Sequence, residues 1–231
     1  MPDVDFTKLP AHIAIIMDGN RRWARKNGKL EHKGHYAGAE SVRDIVECCA
    51  EIGIKVLTLY AFSTENWTRK KVEVDTLMSL LCEYLKKERV RLVKNNIVLR
   101  VSGDISRIPG STKQEIENTI RETGENTGLI FNLALNYGSR QEIVQALQKI
   151  IDTGTKVVDE KMISSHLYTA GLPDPDLLIR TSNELRVSNF MLWQLAYTEL
   201  YFTPVLWPEF KRKDLLTALA EFQKRGRRYG E

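Results

Sequence analysis

The sequence predicts an α/β fold, a single domain with a central six-stranded, mainly parallel sheet surrounded by helices. Three observations predict it. Short apolar runs alternate with longer segments whose apolar residues recur at helical spacing. Such alternation suits parallel strands joined by right-handed helical crossovers. Clusters of arginine, acid and amide follow several of the apolar runs, where a parallel sheet gathers its strand ends along one edge.

The first run, His12–Ile16, is continuously apolar from Ile13 and reads as a short buried strand. It stops at Met17-Asp18-Gly19-Asn20, and Arg21, Arg22 and Trp23 then open a helix. Residues 56–60, 97–101, 129–135, 177–179 and 200–205 read as five further strands. Helical faces lie between them. Val42, Ile45, Val46, Cys49 and Ile52 form one, Val74, Leu77, Met78, Leu81, Leu85 and Leu92 a second, and Ile143, Val144, Leu147, Ile150 and Ile151 a third. Residues 190–197 are almost wholly apolar and read as a buried helix ahead of the last strand.

Composition narrows the function. The chain has 231 residues, with 34 Lys and Arg against 30 Asp and Glu, a net charge of +4. That excess is too small to argue for nucleic acid, and suits a local cationic site for an anionic substrate. A single-strand nucleic-acid binder using its tryptophans and arginines is the rival reading, disfavoured by how widely its arginine clusters are separated. Cys48, Cys49 and Cys82 show no metal spacing and read as reduced thiols, which suits a cytoplasmic protein. No signal-peptide pattern opens the chain, and no apolar run approaches the ~18 residues of a transmembrane helix. Nucleotide-binding glycine loops, the His-Glu-x-x-His motif and the Gly-x-Ser-x-Gly elbow are all absent.

Three clusters carry the chemistry. In the first, Asp18 sits beside a helix start and two arginines. This suits a divalent metal shared with a phosphate ligand, although an Asp cap on an ordinary turn gives the same pattern. His35, further along, could bind phosphate or donate a proton. The second cluster holds Ser63, Thr64, Glu65, Asn66, Trp67 and Arg69, with hydrogen-bonding groups, an aromatic wall and a guanidinium that can pair with phosphate. The third, residues 180–190, places Arg180, Arg186 and up to three hydroxyls in one loop that could grip a diphosphate. Surface ion pairs with Glu184 are its alternative reading. Glu199 stands among aromatic residues and needs a partner, either a metal or an arginine.

These segments together resemble the cis-prenyltransferase family, the undecaprenyl diphosphate synthases. The matching stretches are HIAIIMDGNRRWA at 12–24, LTLYAFSTENW at 57–67, LALNYGSRQEI at 133–143, DLLIRTSNELRVSNFMLWQLAYTELYF at 176–202 and LWPEF at 206–210. The resemblance implies a six-stranded fold with an elongated hydrophobic tunnel, and a homodimer. It implies an Mg2+-dependent enzyme that condenses an allylic diphosphate, typically farnesyl diphosphate, with successive isopentenyl diphosphates. The product is a long cis-polyprenyl diphosphate, the lipid-carrier precursor of peptidoglycan synthesis. Trans-type prenyl synthases are all-helical with paired Asp-Asp-x-x-Asp motifs, and this chain has neither.

By the same resemblance, Asp18 and Asn66 are catalytic, Asp18 holding Mg2+ and Asn66 at a proposed proton-relay position. Gly19, Asn20, Arg21, Arg22, Trp23 and His35 bind the allylic diphosphate. Ser63, Thr64, Glu65, Trp67 and Arg69 belong to the second substrate motif. Arg180, Arg186, Val187 and Ser188 bind isopentenyl diphosphate, and Glu199 is a second Mg2+ ligand. The chain departs from the pattern at Glu31, where many bacterial members carry a phosphate-binding arginine, and at Asn183, where glycine is usual. Product length is expected to depend on side chains closing the tunnel, with Leu77, Leu81, Leu85 and strand 129–135 as candidates. No nucleic acid and no membrane span are expected, although the product suggests peripheral contact with a membrane.

Overall fold

The computed structural model describes residues 3–225. The strands are β1 (His12–Ile16), β2 (Val56–Ser63), β3 (Val98–Ser102), β4 (Ile130–Tyr137), β5 (Leu177–Arg180) and β6 (Glu199–Phe202). The helices are α1 (Asn20–Lys26), α2 (Glu31–Ile52), α3 (Lys71–Lys94), α4 (Gly110–Thr123), α5 (Ser139–Asp152), α6 (Glu160–His166) and α7 (Arg212–Gln223).

All six strands pair in parallel, in the order β3-β4-β2-β1-β5-β6. The chain builds outward from β1 in one direction as far as β3 and β4, then crosses to β5 on the other side of β1. The sheet's topological switch point therefore lies between β1 and β5. At such a point the connections diverge to opposite faces and leave a crevice beyond the strand ends. Ile16 is in register with Arg180, so the segments leaving β1 and β5 start side by side at that crevice.

β1 is buried along its whole length, which its continuous apolar run requires for a central parallel strand. One sheet face carries Ile13, Ile15, Leu57, Leu59, Phe131 and Leu133 into the larger core, with α2, α3 and α7 packed over it. The other face carries Ala14, Ile16, Ala134 and Leu178 against Tyr137, Phe190 and Met191. A polar seam crosses this second face. His12 Nδ1 lies 2.7 Å from the Pro173 carbonyl, which can only accept, so Nδ1 carries the proton. His12 Nε2 then accepts from the Thr58 hydroxyl at 2.7 Å. Thr58 Oγ1 accepts from Asn132 Nδ2 at 3.1 Å, and Asn132 Oδ1 from Ser102 Oγ at 3.0 Å.

The expected helix over residues 190–197 does not form; the segment is a series of turns. Ser188, Asn189 and Met191 have φ of 48°, 59° and 48°, left-handed values that no right-handed helix contains. Tertiary contacts impose this path. Ser139 N donates to the Asn189 carbonyl at 2.8 Å, Arg140 N to Asn189 Oδ1 at 2.9 Å and Leu192 N to Ser139 Oγ at 2.9 Å. Phe190 is drawn in to stack on Tyr60, their ring centres 4.3 Å apart. Strand ends also shift: β2 runs on to Ser63, and the last strand begins at Glu199 and stops at Phe202.

Candidate active site

A cavity of about 840 Å3 opens at the switch point. Residues 16–22, with Arg25, enter from the end of β1 and from α1. His35 comes from α2. Tyr60, Ala61, Ser63, Glu65, Asn66 and Arg69 come from the end of β2 and the 3-10 turn Thr64–Thr68. Leu77 comes from α3, and Arg180, Arg186, Ser188 and Asn189 from the loop after β5. The three sequence clusters, up to 170 residues apart, thus line one space.

Asp18 stands at the centre. Its Oδ2 accepts from Arg180 Nη2 at 3.0 Å, and its Oδ1 lies 3.4 Å from Arg22 Nη2. Its backbone carbonyl accepts from Thr181 Oγ1 at 2.7 Å and Trp207 N at 3.0 Å, which fixes the turn. Gly19 follows with φ of +108°, and a Cβ there would lie 3.0 Å from both Leu206 Cδ2 and Ser182 Oγ. Glycine is therefore required on both conformational and steric grounds. α1 starts with no side-chain cap and no acid in its first turn.

Arg180 is only 3% exposed although it carries a charge. Besides Asp18, its guanidinium donates to Ser188 Oγ at 2.7 Å and to the Arg186 carbonyl. One side chain thus joins the carboxylate to the loop that bears Arg186 and Ser188. Arg22 makes a parallel link from the other side, donating to the Ser182 carbonyl at 3.0 Å and pairing with Glu184 at 3.0 Å. Arg69 pairs with Glu73 at 2.9 Å, and Arg186 pairs with Glu184. Arg21 and Arg25 both pair with Glu31.

His35 lies under this cation cluster with its side chain 10% exposed. Burial, and then the nearby Arg69 charge, lower its pKa, so the ring is neutral at pH 7. Its Nε2 and Asn20 Oδ1 are both buried without a hydrogen-bond partner, and both residues line the cavity. Asn66 Oδ1 accepts from Ser63 N at 3.2 Å, closing a capping box on the short turn. Tyr60 donates to the Tyr137 carbonyl at 3.1 Å, and burial raises its pKa.

Several predicted residues do not line this space. Trp67 turns away, donating from Nε1 to Asn136 Oδ1 at 2.7 Å and packing edge-on against Phe62, with Arg107 over its ring. It supports the floor of the motif. Trp23 is covered by Lys29, whose Nζ is 5.0 Å from the ring centre. Thr64 and Val187 also lie off the cavity wall. Glu199 begins β6, level with Leu177, whereas Asp18 follows the opposite end of β1. Three strand residues separate Glu199 from the level of Arg180, about 10 Å. Arg225 pairs with it at 2.8 Å, so the partner it needs is an arginine and no Asp18–Glu199 pair forms within one chain. Among the described residues no three His, Cys, Asp or Glu side chains gather into a metal-binding group.

Sequence reasoning missed Arg25, one helical turn beyond Arg21, and the paired glycines of α2. A Cβ on Gly34 would stand 2.0 Å from the Asn20 carbonyl, and one on Gly38 2.4 Å from Asn20 Oδ1. Two glycines four residues apart inside a helical pattern are the signal for such close approach.

A second, apolar cavity of about 110 Å3 continues from the first, sharing Met17, Asn20, His35, Ala61 and Leu77. Val42, Phe62, Leu80, Leu81, Tyr84, Leu133 and Leu135 enclose its far end. It is a small pocket. Of the candidates for closing a tunnel, Leu77, Leu81, Leu133 and Leu135 line it, while Leu85 is in the packed core.

A cationic crevice that leads into an apolar pocket fits an anionic head with a hydrocarbon tail, and relatives of the chain narrow the reading further. Residues 16–230 match the sequence profile of the family described as "Putative undecaprenyl diphosphate synthase". The chain belongs to this family. The isoprenyl transferase of Bacillus cereus is 51% identical over 228 residues, spanning 96% of this chain and 88% of that protein. The isoprenyl transferase of Clostridium tetani is 48% identical over 233 residues, spanning 98% and 91%. Among solved structures, lavandulyl diphosphate synthase from Lavandula x intermedia, in complex with dimethylallyl diphosphate, superposes with a TM-score of 0.94 at 40% identity. The match covers 96% of this chain and 99% of that one. A probable undecaprenyl diphosphate synthase from Campylobacter jejuni superposes at 0.81 with 35% identity, covering 97% and 99%. The chain is thus similar to isoprenyl transferases over nearly its whole length, and its three arginine-bearing segments converge on one cavity. No helix among the described residues is long and apolar enough to cross a membrane.

Proposed function

We propose that the chain condenses an allylic diphosphate, with farnesyl diphosphate as primer, with successive isopentenyl diphosphates to give a long cis-polyprenyl diphosphate. Undecaprenyl diphosphate for peptidoglycan synthesis is the product we assign. One observation carries this reading. Arg180 ties Asp18 to the Arg186–Ser188 loop, so that one carboxylate stands between two sets of guanidiniums, one on the α1 side and one on the β5 side. That is an arrangement for two diphosphates.

On the α1 side, Arg21, Arg22, Arg69 and His35 bind and orient the allylic diphosphate, with its tail directed into the apolar pocket. On the β5 side, Arg180, Arg186 and Ser188 hold isopentenyl diphosphate. The allylic C–O bond breaks and pyrophosphate leaves, a C–C bond forms between the allylic carbon and the isopentenyl unit, and the proton that unit loses passes to the departing pyrophosphate. The guanidiniums stabilise the charge that develops on the departing diphosphate. Asn66 is placed to pass a hydrogen bond onward, but an amide is a poor base, and with Oδ1 capping Ser63 it serves as a positioning residue.

The donor set fits Mg2+ carried in with the diphosphate, since such ions are commonly held by one or two carboxylates plus phosphate oxygens. Asp18 would hold it, and the ion would neutralise charge on the leaving group. β6 forms one edge of the sheet, and Leu200 is partly exposed there. This supports a homodimer that covers that edge. Buried, unoxidised Cys48 and Cys49 support a cytoplasmic location, and a polyprenyl product supports transient contact with a membrane surface.

The test is incubation with farnesyl diphosphate, labelled isopentenyl diphosphate and Mg2+, beside an Asp18→Ala control, with products resolved by chain length. A ladder ending near the undecaprenyl length, lost in the control, is expected. No elongated product from the wild-type chain overturns the assignment.

A further inference from the structure

Glu31 is the first residue of α2, and the short turn after α1 returns it beside Arg21 and Arg25. Those two arginines are one helical turn apart on α1, so they present their guanidiniums side by side. Glu31 uses both carboxylate oxygens on them. Oε2 accepts from Arg21 Nε at 2.7 Å, and Oε1 accepts from Arg25 Nη2 at 2.6 Å and Arg25 Nε at 3.0 Å. Arg21 and Arg25 line the large cavity, whereas Glu31 stands behind them.

These groups do little for the fold. The side chains are 45%, 65% and 40% exposed for Arg21, Arg25 and Glu31, a range in which ion pairs contribute little stability. Their effect falls on the cavity instead. Hydrogen bonds from Arg25 and Arg21 lower the Glu31 pKa from its ordinary value, so it is ionised at neutral pH and offsets half of their charge. Other acids also face pocket arginines: Glu73 faces Arg69 at 2.9 Å and, more distantly, Arg21 at 4.0 Å, and Glu184 faces Arg22 and Arg186. Glu31 differs in that both guanidiniums it engages lie on α1, and it touches neither Arg180 nor Arg186.

We propose that Glu31 is a specificity-determining residue: it competes with a diphosphate for Arg21 and Arg25, and so weakens binding on the α1 side of the cavity while leaving the β5 side unchanged. This rests on the assignment of the α1 side to the allylic diphosphate, but its chemistry concerns any diphosphate placed there. A ligand entering this side must exchange with the carboxylate or bind beside its charge.

The experiment titrates inorganic pyrophosphate into the wild-type chain, Glu31→Gln and Glu31→Asp, and measures KM for both prenyl substrates. In Glu31→Gln, the pyrophosphate Kd and the allylic KM are expected to fall about three- to ten-fold at low salt, from removal of one nearby negative charge. The isopentenyl KM stays fixed, and the gain shrinks as salt rises. Glu31→Asp keeps the charge and stays near wild type. In an Arg21→Ala, Arg25→Ala background, Glu31→Gln gives no gain, which separates competition from an indirect effect. An unchanged or weakened pyrophosphate affinity in Glu31→Gln overturns the proposal. Absence of prenyl product from the wild-type chain bears on the synthase assignment alone, because the pyrophosphate titration needs no turnover.

Discussion

Arg180 reaches across the boundary between β5 and β1 to place Nη2 3.0 Å from Asp18 Oδ2, and it does so while almost fully buried. Its other contacts are Ser188 and the backbone of Arg186, so the pair fixes both the carboxylate and the loop opposite it. Truncating one partner of such a pair costs about 2–5 kcal/mol. Arg180→Ala is therefore expected to lower kcat/KM by roughly 30- to 5,000-fold. Steady-state kinetics with isopentenyl diphosphate varied checks this, and a loss under tenfold contradicts the role.

Asp18→Asn keeps the side chain's shape but removes its charge. Arg22 and Arg180 then lose a counter-ion, so pyrophosphate affinity holds or rises while kcat drops by about 100-fold or more. Pyrophosphate titration beside single-turnover kinetics separates the two effects. Parallel loss of binding and rate would indicate collapse of the site instead.

The contact between α1 and α2 is sterically tight at Gly34. Gly34→Ala would place a methyl group 2.0 Å from the Asn20 carbonyl, a backbone atom that cannot swing aside. Overpacking of this kind typically costs 1–3 kcal/mol, and here about 1–3 kcal/mol is expected as a lower urea midpoint. Gly110→Ala is the control, because nothing lies within 4 Å of the added carbon.

His12 makes stability depend on pH. Burial lowers its pKa from 6.5 to about 4. Between those values the unfolded chain binds a proton that the folded chain does not, so stability falls as pH drops from about 6.5 to 4 and is complete above that window. The full contribution is of order 3 kcal/mol. Urea unfolding at pH 7 and pH 4.5 should show the loss in the wild-type chain and a smaller one in His12→Asn. Equal slopes in the two proteins would remove His12 as the cause.

Much of this was legible from residues alone. The apolar run from Ile13 to Ile16 specified a central strand, and the polar clusters after the strands marked the edge where the site forms. Residues 190–197 misled because apolar density does not distinguish a helix from a buried turn; contacts from Ser139 and Tyr60, far away in the chain, decide it. Trp67 looked like a cavity wall, but its indole N–H needed a buried acceptor and found Asn136. Glu199 needed a partner, and which of two candidates would satisfy it depended on where Arg225 ends up.

The seam from His12 to Ser102 has a consequence for assembly. Apolar strands offer many nearly equivalent alignments, since one Leu or Ile replaces another against a greasy neighbour. Donor and acceptor atoms do not interchange so freely. Sliding β2 or β4 by one step would turn Thr58 or Asn132 to the opposite face and strand each broken link in a dry interior. The seam thus acts as a key cut across four strands: it admits one alignment, and with it the one placement of strand ends from which the three loops meet.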